Sequence, residues 1–91
     1  MSFTRAFSPA LREVRILFSQ TGDASQGVRQ FVASTYPTLK QHNPDLPILI
    51  REAQGTPARA FARFERGVEK NVLLDGLSSR DVATKISTLL E

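Results

Sequence analysis

Residues able to do covalent chemistry are few and scattered in this sequence. The 91 residues include no cysteine, which excludes disulfides, thiolate catalysis and Cys-based zinc or iron–sulfur sites. His42 is the single histidine, so no pair of histidines within one chain can act as acid and base. It lies in the polar run Lys40-Gln41-His42-Asn43 and reads as a solvated surface residue. The carboxylates Glu52, Glu65, Glu69, Asp75, Asp81 and Glu91 are spread along the chain. Glu65 and Glu69 flank a turn, but a catalytic carboxylate pair also needs a cleft, and nothing in the sequence marks one. No phosphate-binding glycine loop, dinucleotide fingerprint, HExxH or GxSxG is present. The expectation is a chain with no catalytic, cofactor-binding or metal-binding residues.

The chain does carry recognition chemistry. Arg15, Leu17, Leu49, Arg51, Arg59, Phe61 and Arg63, with Leu73, share one strand parity. An arginine binds a carboxylate or phosphate through two parallel hydrogen bonds while its stem covers apolar surface. Arginine mixed with aromatic and aliphatic side chains is favoured at protein interfaces. The blander reading buries Leu17 and Leu49 under the N-terminal segment and leaves the arginines solvated.

The elements that must position these residues begin with a strand–helix–strand unit. Val14, Ile16 and Phe18 alternate with Arg15, Leu17 and Ser19, the period of a strand. Val28, Phe31, Val32, Thr35, Tyr36 and Leu39 recur at helical spacing. Pro37 falls inside that pattern and predicts a kink, or an early end near Tyr36, since a proline in a helix interior costs about 3 kcal/mol. Asn-Pro-Asp-Leu-Pro then ends the helix, and Ile48-Leu49-Ile50 forms a second strand. Two strands joined through one helix should lie parallel with a right-handed crossover.

A third strand is expected through Ala60 to Phe64, a turn at Arg66-Gly67-Val68-Glu69, and a fourth strand at Asn71-Val72-Leu73-Leu74. Ser78 should cap the last helix, with Asp81 three residues on and a Leu77–Val82 staple. Val82, Ala83, Ile86, Leu89 and Leu90 give that helix one apolar stripe. Val14, Ile16, Phe18, Ile48, Ile50, Ala60, Ala62, Phe64, Val72 and Leu74 should form the helix-covered sheet face, opposite the arginines. Between residues 19 and 27, Ser25 or Asp23 is the expected cap for the first helix. Ser8-Pro9 is expected to open a short helical turn.

Length and composition fit one domain: residues 1–10 as lead-in and residues 11–91 as the folded unit. The apolar content of 41% suits a folded chain, and the formal charge of +3 permits an acidic or a nucleic-acid partner without choosing between them. No apolar run reaches the roughly 18–20 residues of a membrane span. The start, MSFTRAFSPALR, carries arginines and hydroxyls but no acid, which resembles the beginning of a mitochondrial import segment.

ILFSQ, SQGVRQF, NPDLPILIRE and ARFERG followed by NVLL resemble the small thioredoxin-like accessory subunit of mitochondrial respiratory complex I. NPDLPILIRE is the most specific piece, and the likeness runs from about Leu11 to Leu90. It implies a thioredoxin-like α/β fold: a four-stranded mixed sheet in the order 4-3-1-2, strand 3 antiparallel, with two main helices on one face. In that fold Pro57 is a candidate for a cis proline, an ordinary trans turn being at least as compatible. The loop after the first strand would hold a redox Cys-x-x-Cys, and this chain has none. Some members have cysteines at the positions of Ser19 and Ala53, so a redox role proposed for such members does not carry over.

The resemblance further implies a non-catalytic subunit in the matrix-facing arm of NADH:ubiquinone oxidoreductase. It would bind other subunits there, on the matrix side of the mitochondrial inner membrane, without cofactor, small-molecule substrate, nucleic acid or membrane insertion. The family shares its fold with some mitochondrial ribosomal proteins. An RNA-contacting ribosomal protein is therefore the alternative, and the arginines fit phosphate as well as carboxylate.

Overall fold

A central strand lies against a parallel neighbour on one side and an antiparallel neighbour on the other. A computed structural model describes Phe3 and residues 6–91. Strands β1 (Leu11–Phe18), β2 (Ile48–Glu52), β3 (Arg59–Phe64) and β4 (Glu69–Leu73) form one sheet in the spatial order β2-β1-β3-β4. β1 pairs parallel with β2, while β3 runs antiparallel to both β1 and β4. The import-segment reading draws on Met1, Ser2, Thr4 and Arg5, which lie outside the described residues.

Among the described residues three α-helices accompany the sheet, where the periodicity anticipated two main ones: α1 (Gln26–Ser34), α2 (Tyr36–His42) and α3 (Ser79–Leu89). The first expected helix is split at Thr35, whose ψ of −31° and φ of −112° close α1. Pro37 then falls in the first turn of α2. Its missing N–H would have had no partner at that position anyway, so the interior penalty is avoided. Pro37 thus starts a helix rather than kinking one.

One apolar cluster fills the space between sheet and helices. Val14, Ile16, Ala60 and Ala62 from the sheet, with Leu74 just past β4, meet Val28, Phe31, Leu39, Val82, Ile86 and Leu90, all fully buried. α1 approaches the entry of α3 closely enough that a Cβ on Gly27 would lie 2.0 Å from the Leu77 carbonyl oxygen. Only glycine fits that crossing.

The N-terminal segment joins this same core. Phe3 packs edge-on against Phe31 at 5.5 Å between ring centroids, and Phe7 lies 6.4 Å from Phe3. The Phe7 N–H donates to Asn43 Oδ1 at 2.9 Å, and Asn43 Nδ2 donates to the Leu39 carbonyl at 3.0 Å. A buried amide therefore closes the end of α2 and fastens the incoming chain to it. The described part of the segment does not bury Leu17 and Leu49 from the far side of the sheet. Ser8 and Pro9 form a turn and not a helical start: Ser8 Oγ accepts from the Ala10 N–H, and its carbonyl from the Leu11 N–H.

The last helix follows its sequence signals. Ser78 Oγ accepts from the Asp81 N–H at 3.2 Å, and Val82, Ile86, Leu89 and Leu90 are buried. The β3–β4 turn puts both Arg66 (φ 64°) and Gly67 (φ 74°) in the left-handed region. No peptide bond among the described residues is cis, so Thr56-Pro57 is an ordinary trans turn.

Candidate binding face

The side of the sheet away from the helices is built in three cross-strand rows. β1 fixes them, because its register aligns β2 on one side and β3 on the other. One row runs Leu49, Arg15, Phe61, Asn71 from β2 to β4. The next runs Arg51, Leu17, Arg59, Leu73. At the opposite end, Glu13, Arg63 and Glu69 align across β1, β3 and β4. All seven residues singled out from the sequence, Arg15, Leu17, Leu49, Arg51, Arg59, Phe61 and Arg63, therefore occupy one face. A bulge between Leu11 and Glu13 precedes this regular pairing. It turns Leu11 into the core while Glu13 faces outward with Arg15.

None of the apolar side chains on this face belongs to the core cluster. Leu17, Leu49 and Phe61 are half-buried, and Leu73 is 50% exposed. Charge is unevenly distributed among them. Glu13 pairs with Arg63 at 2.8 Å and with Arg15 at 3.5 Å, and Arg15 reaches Glu69 at 3.2 Å. The Arg15 guanidinium also lies over the Phe61 ring, 5.2 Å from its centroid. This end of the face neutralises itself. In the Arg51 row, Arg59 Nη1 donates to the Asn71 amide oxygen at 2.5 Å, a neutral partner. Among the described residues neither Arg51 nor Arg59 has a carboxylate within ion-pair distance.

Sequence parity found the arginines but not their partners. Glu13, Glu69 and Asn71 sit at positions of the same parity as the arginines. Which carboxylate meets which guanidinium is set by register, and register depends on the bulge and on the turn after β3.

The loop between β1 and α1 is locked by its own hydrogen bonds. Ser25 occupies the N-cap position of α1 without making a side-chain cap bond. Its Oγ instead accepts from the Ser19 N–H at 3.0 Å. Ser19 Oγ accepts from the Gly22 N–H, and Arg29 Nη1 donates to the carbonyls of Ser19 and Gly22 at 2.9 and 2.8 Å. The expected cap is thus replaced by a short 3₁₀ turn, Asp23–Ser25, that leads directly into α1. His42 is exposed, with Nδ1 3.0 Å from the Thr38 carbonyl oxygen. Among the described residues no group of three or more His, Asp or Glu side chains is arranged to hold a metal ion. No described helix is long and apolar enough to cross a membrane.

Comparison with known proteins gives a consistent result. The family model for the mitochondrial ribosomal protein L51 / S25 / CI-B8 domain matches residues 28–79. The chain is similar to the NADH-ubiquinone oxidoreductase 10.5 kDa subunit of Neurospora crassa, with 46% identity over the whole chain and 97% of that protein. It is 40% identical, again over its whole length, to NADH dehydrogenase [ubiquinone] 1 alpha subcomplex subunit 2 of Arabidopsis thaliana, covering 94% of it. The subunit of that name from Mus musculus is 41% identical over 88% of the chain and 81% of its own length. This chain therefore belongs to the L51 / S25 / CI-B8 domain family.

Proposed function

We propose that the chain is a non-catalytic accessory subunit of mitochondrial NADH:ubiquinone oxidoreductase, and that it docks on a larger subunit of the matrix arm through the open face of its sheet. The observation that carries the assignment is the end-to-end similarity, at 40–46% identity, to subunits of that complex from a fungus and a plant. The domain is thioredoxin-like, its cysteine-free β1–α1 loop held by Ser19, Ser25 and Arg29. Its place is mitochondrial, on the matrix side of the inner membrane. Residues 11–91 hold every described strand and helix of the unit, and the lead-in before them adds Phe3 and Phe7 to its core.

The open face supports docking because leucines and arginines, each half-buried or exposed, lie side by side there, already ordered by strand pairing. A ribosomal RNA contact is less well matched. The aromatic ring that bases would stack on, Phe61, has a guanidinium over it.

The absence of native cysteine makes a direct test possible. Single cysteines are placed at Asn71, exposed on the open face, and at Thr84, exposed on α3. Each is labelled with a maleimide in the free chain and in purified complex I after ribonuclease treatment. Co-migration with the complex, slowed labelling of Asn71→Cys and unchanged labelling of Thr84→Cys are expected. A chain absent from complex I overturns the assignment. An Asn71→Cys that labels as fast in the complex as in the free chain overturns the docking face.

A further inference from the structure

We infer that the open face is polarised, and that its Arg51–Leu17–Arg59–Leu73 row receives a carboxylate-bearing, partly apolar segment of the partner protein. This rests on the docking reading above and adds the chemistry of the partner. Charge distribution is the first observation. Four arginines on the face stand against two glutamates, and both glutamates are committed to Arg15 and Arg63 at one end. The two guanidiniums without an acid lie at the other end, in a single row. They are separated by the two strand spacings from β2 to β3, which puts their Cα atoms about 10 Å apart.

Apolar surface is the second observation. Leu17 stands between the two arginines and Leu73 beyond Arg59, with Leu49 in the adjoining row. Docking would remove these leucines from water and strengthen each guanidinium–carboxylate pair by excluding solvent. A phosphodiester chain offers no comparable apolar surface, so a protein carboxylate fits the row better than a nucleic acid. A second copy of this chain fits poorly. About a two-fold axis the same row would face itself and oppose arginine to arginine. The Glu13–Arg63–Glu69 row, neutralised with the help of Arg15, should act as a solvated rim and contribute little to affinity.

The test compares two double substitutions of the same chemistry. Arg51→Gln/Arg59→Gln removes two positive charges from the polarised end. Arg63→Gln/Glu69→Gln removes one charge of each sign from the neutral end. Each chain is expressed in cells lacking the native one, and the fraction incorporated into complex I is read from native gels. Thermal melting of each free chain reports folding. The first variant should lose incorporation by about tenfold or more and the second by less than about twofold. Arg51→Lys/Arg59→Lys should recover part of the loss, because charge is kept while the bidentate geometry is not.

Equal effects of the two Gln variants, or the reverse ranking, overturn the polarity. So does a chain whose association depends on Arg51 and Arg59 but is released by ribonuclease. Loss of polarity with Asn71→Cys still protected leaves the docking face standing, whereas an unprotected Asn71→Cys removes the face itself.

Discussion

The two faces of one sheet are built on opposite terms. On the helix side, Val14, Ile16, Ala60 and Ala62 have no exposed surface and are held by Phe31, Val82 and Ile86. On the other side, their strand neighbours Arg15, Leu17 and Phe61 are only half covered. Since side chains alternate along a strand, every residue ordered for the core orders the next one outward. The core therefore positions the open face without depending on it. Stability should reside in the first face and association in the second.

Gly27→Ala should give the largest effect. The new Cβ meets backbone, the Leu77 carbonyl, and α1 and α3 must separate. A loss of about 3 kcal/mol or more is expected, read from denaturant midpoints. Ile86→Ala should follow at about 2–5 kcal/mol, because it opens a cavity under α3. A midpoint equal to that of the unmodified chain in either case would break the comparison on its stable side. Ser78→Ala should cost about 1 kcal/mol by removing the acceptor for the Asp81 N–H. In a domain of this size that corresponds to a fall in Tm of roughly 4–8 °C. These three changes should reduce incorporation only as far as they reduce the folded fraction.

Most of the frame was legible because strand and helix periods are strong signals. The alternation from Val14 to Phe18 and the Ser78 cap with its apolar stripe needed no long-range information. The split at Thr35 was half legible: Pro37 announced a break, but whether a proline bends a helix or begins the next depends on how Leu39 and Phe31 pack. Asn43 was read only as part of a helix exit. Its bonds to Phe7 and Leu39 join positions 36 residues and four residues away, and no local pattern shows the longer one. The same limit applied to the candidate face. Parity gathered its arginines, while the pairing that leaves Arg51 and Arg59 without an acid came from the registers of all four strands.

Leu73→Ser tests the division of labour most directly. Leu73 is half exposed, ends the Arg51 row and lies outside the core cluster. Thermal melting of the free chain and incorporation into complex I are measured on the same variant. Stability should change by less than about 0.5 kcal/mol, while the incorporated fraction falls. A clear loss of melting temperature with normal incorporation would make Leu73 an internal packing residue and contradict the account of the open face.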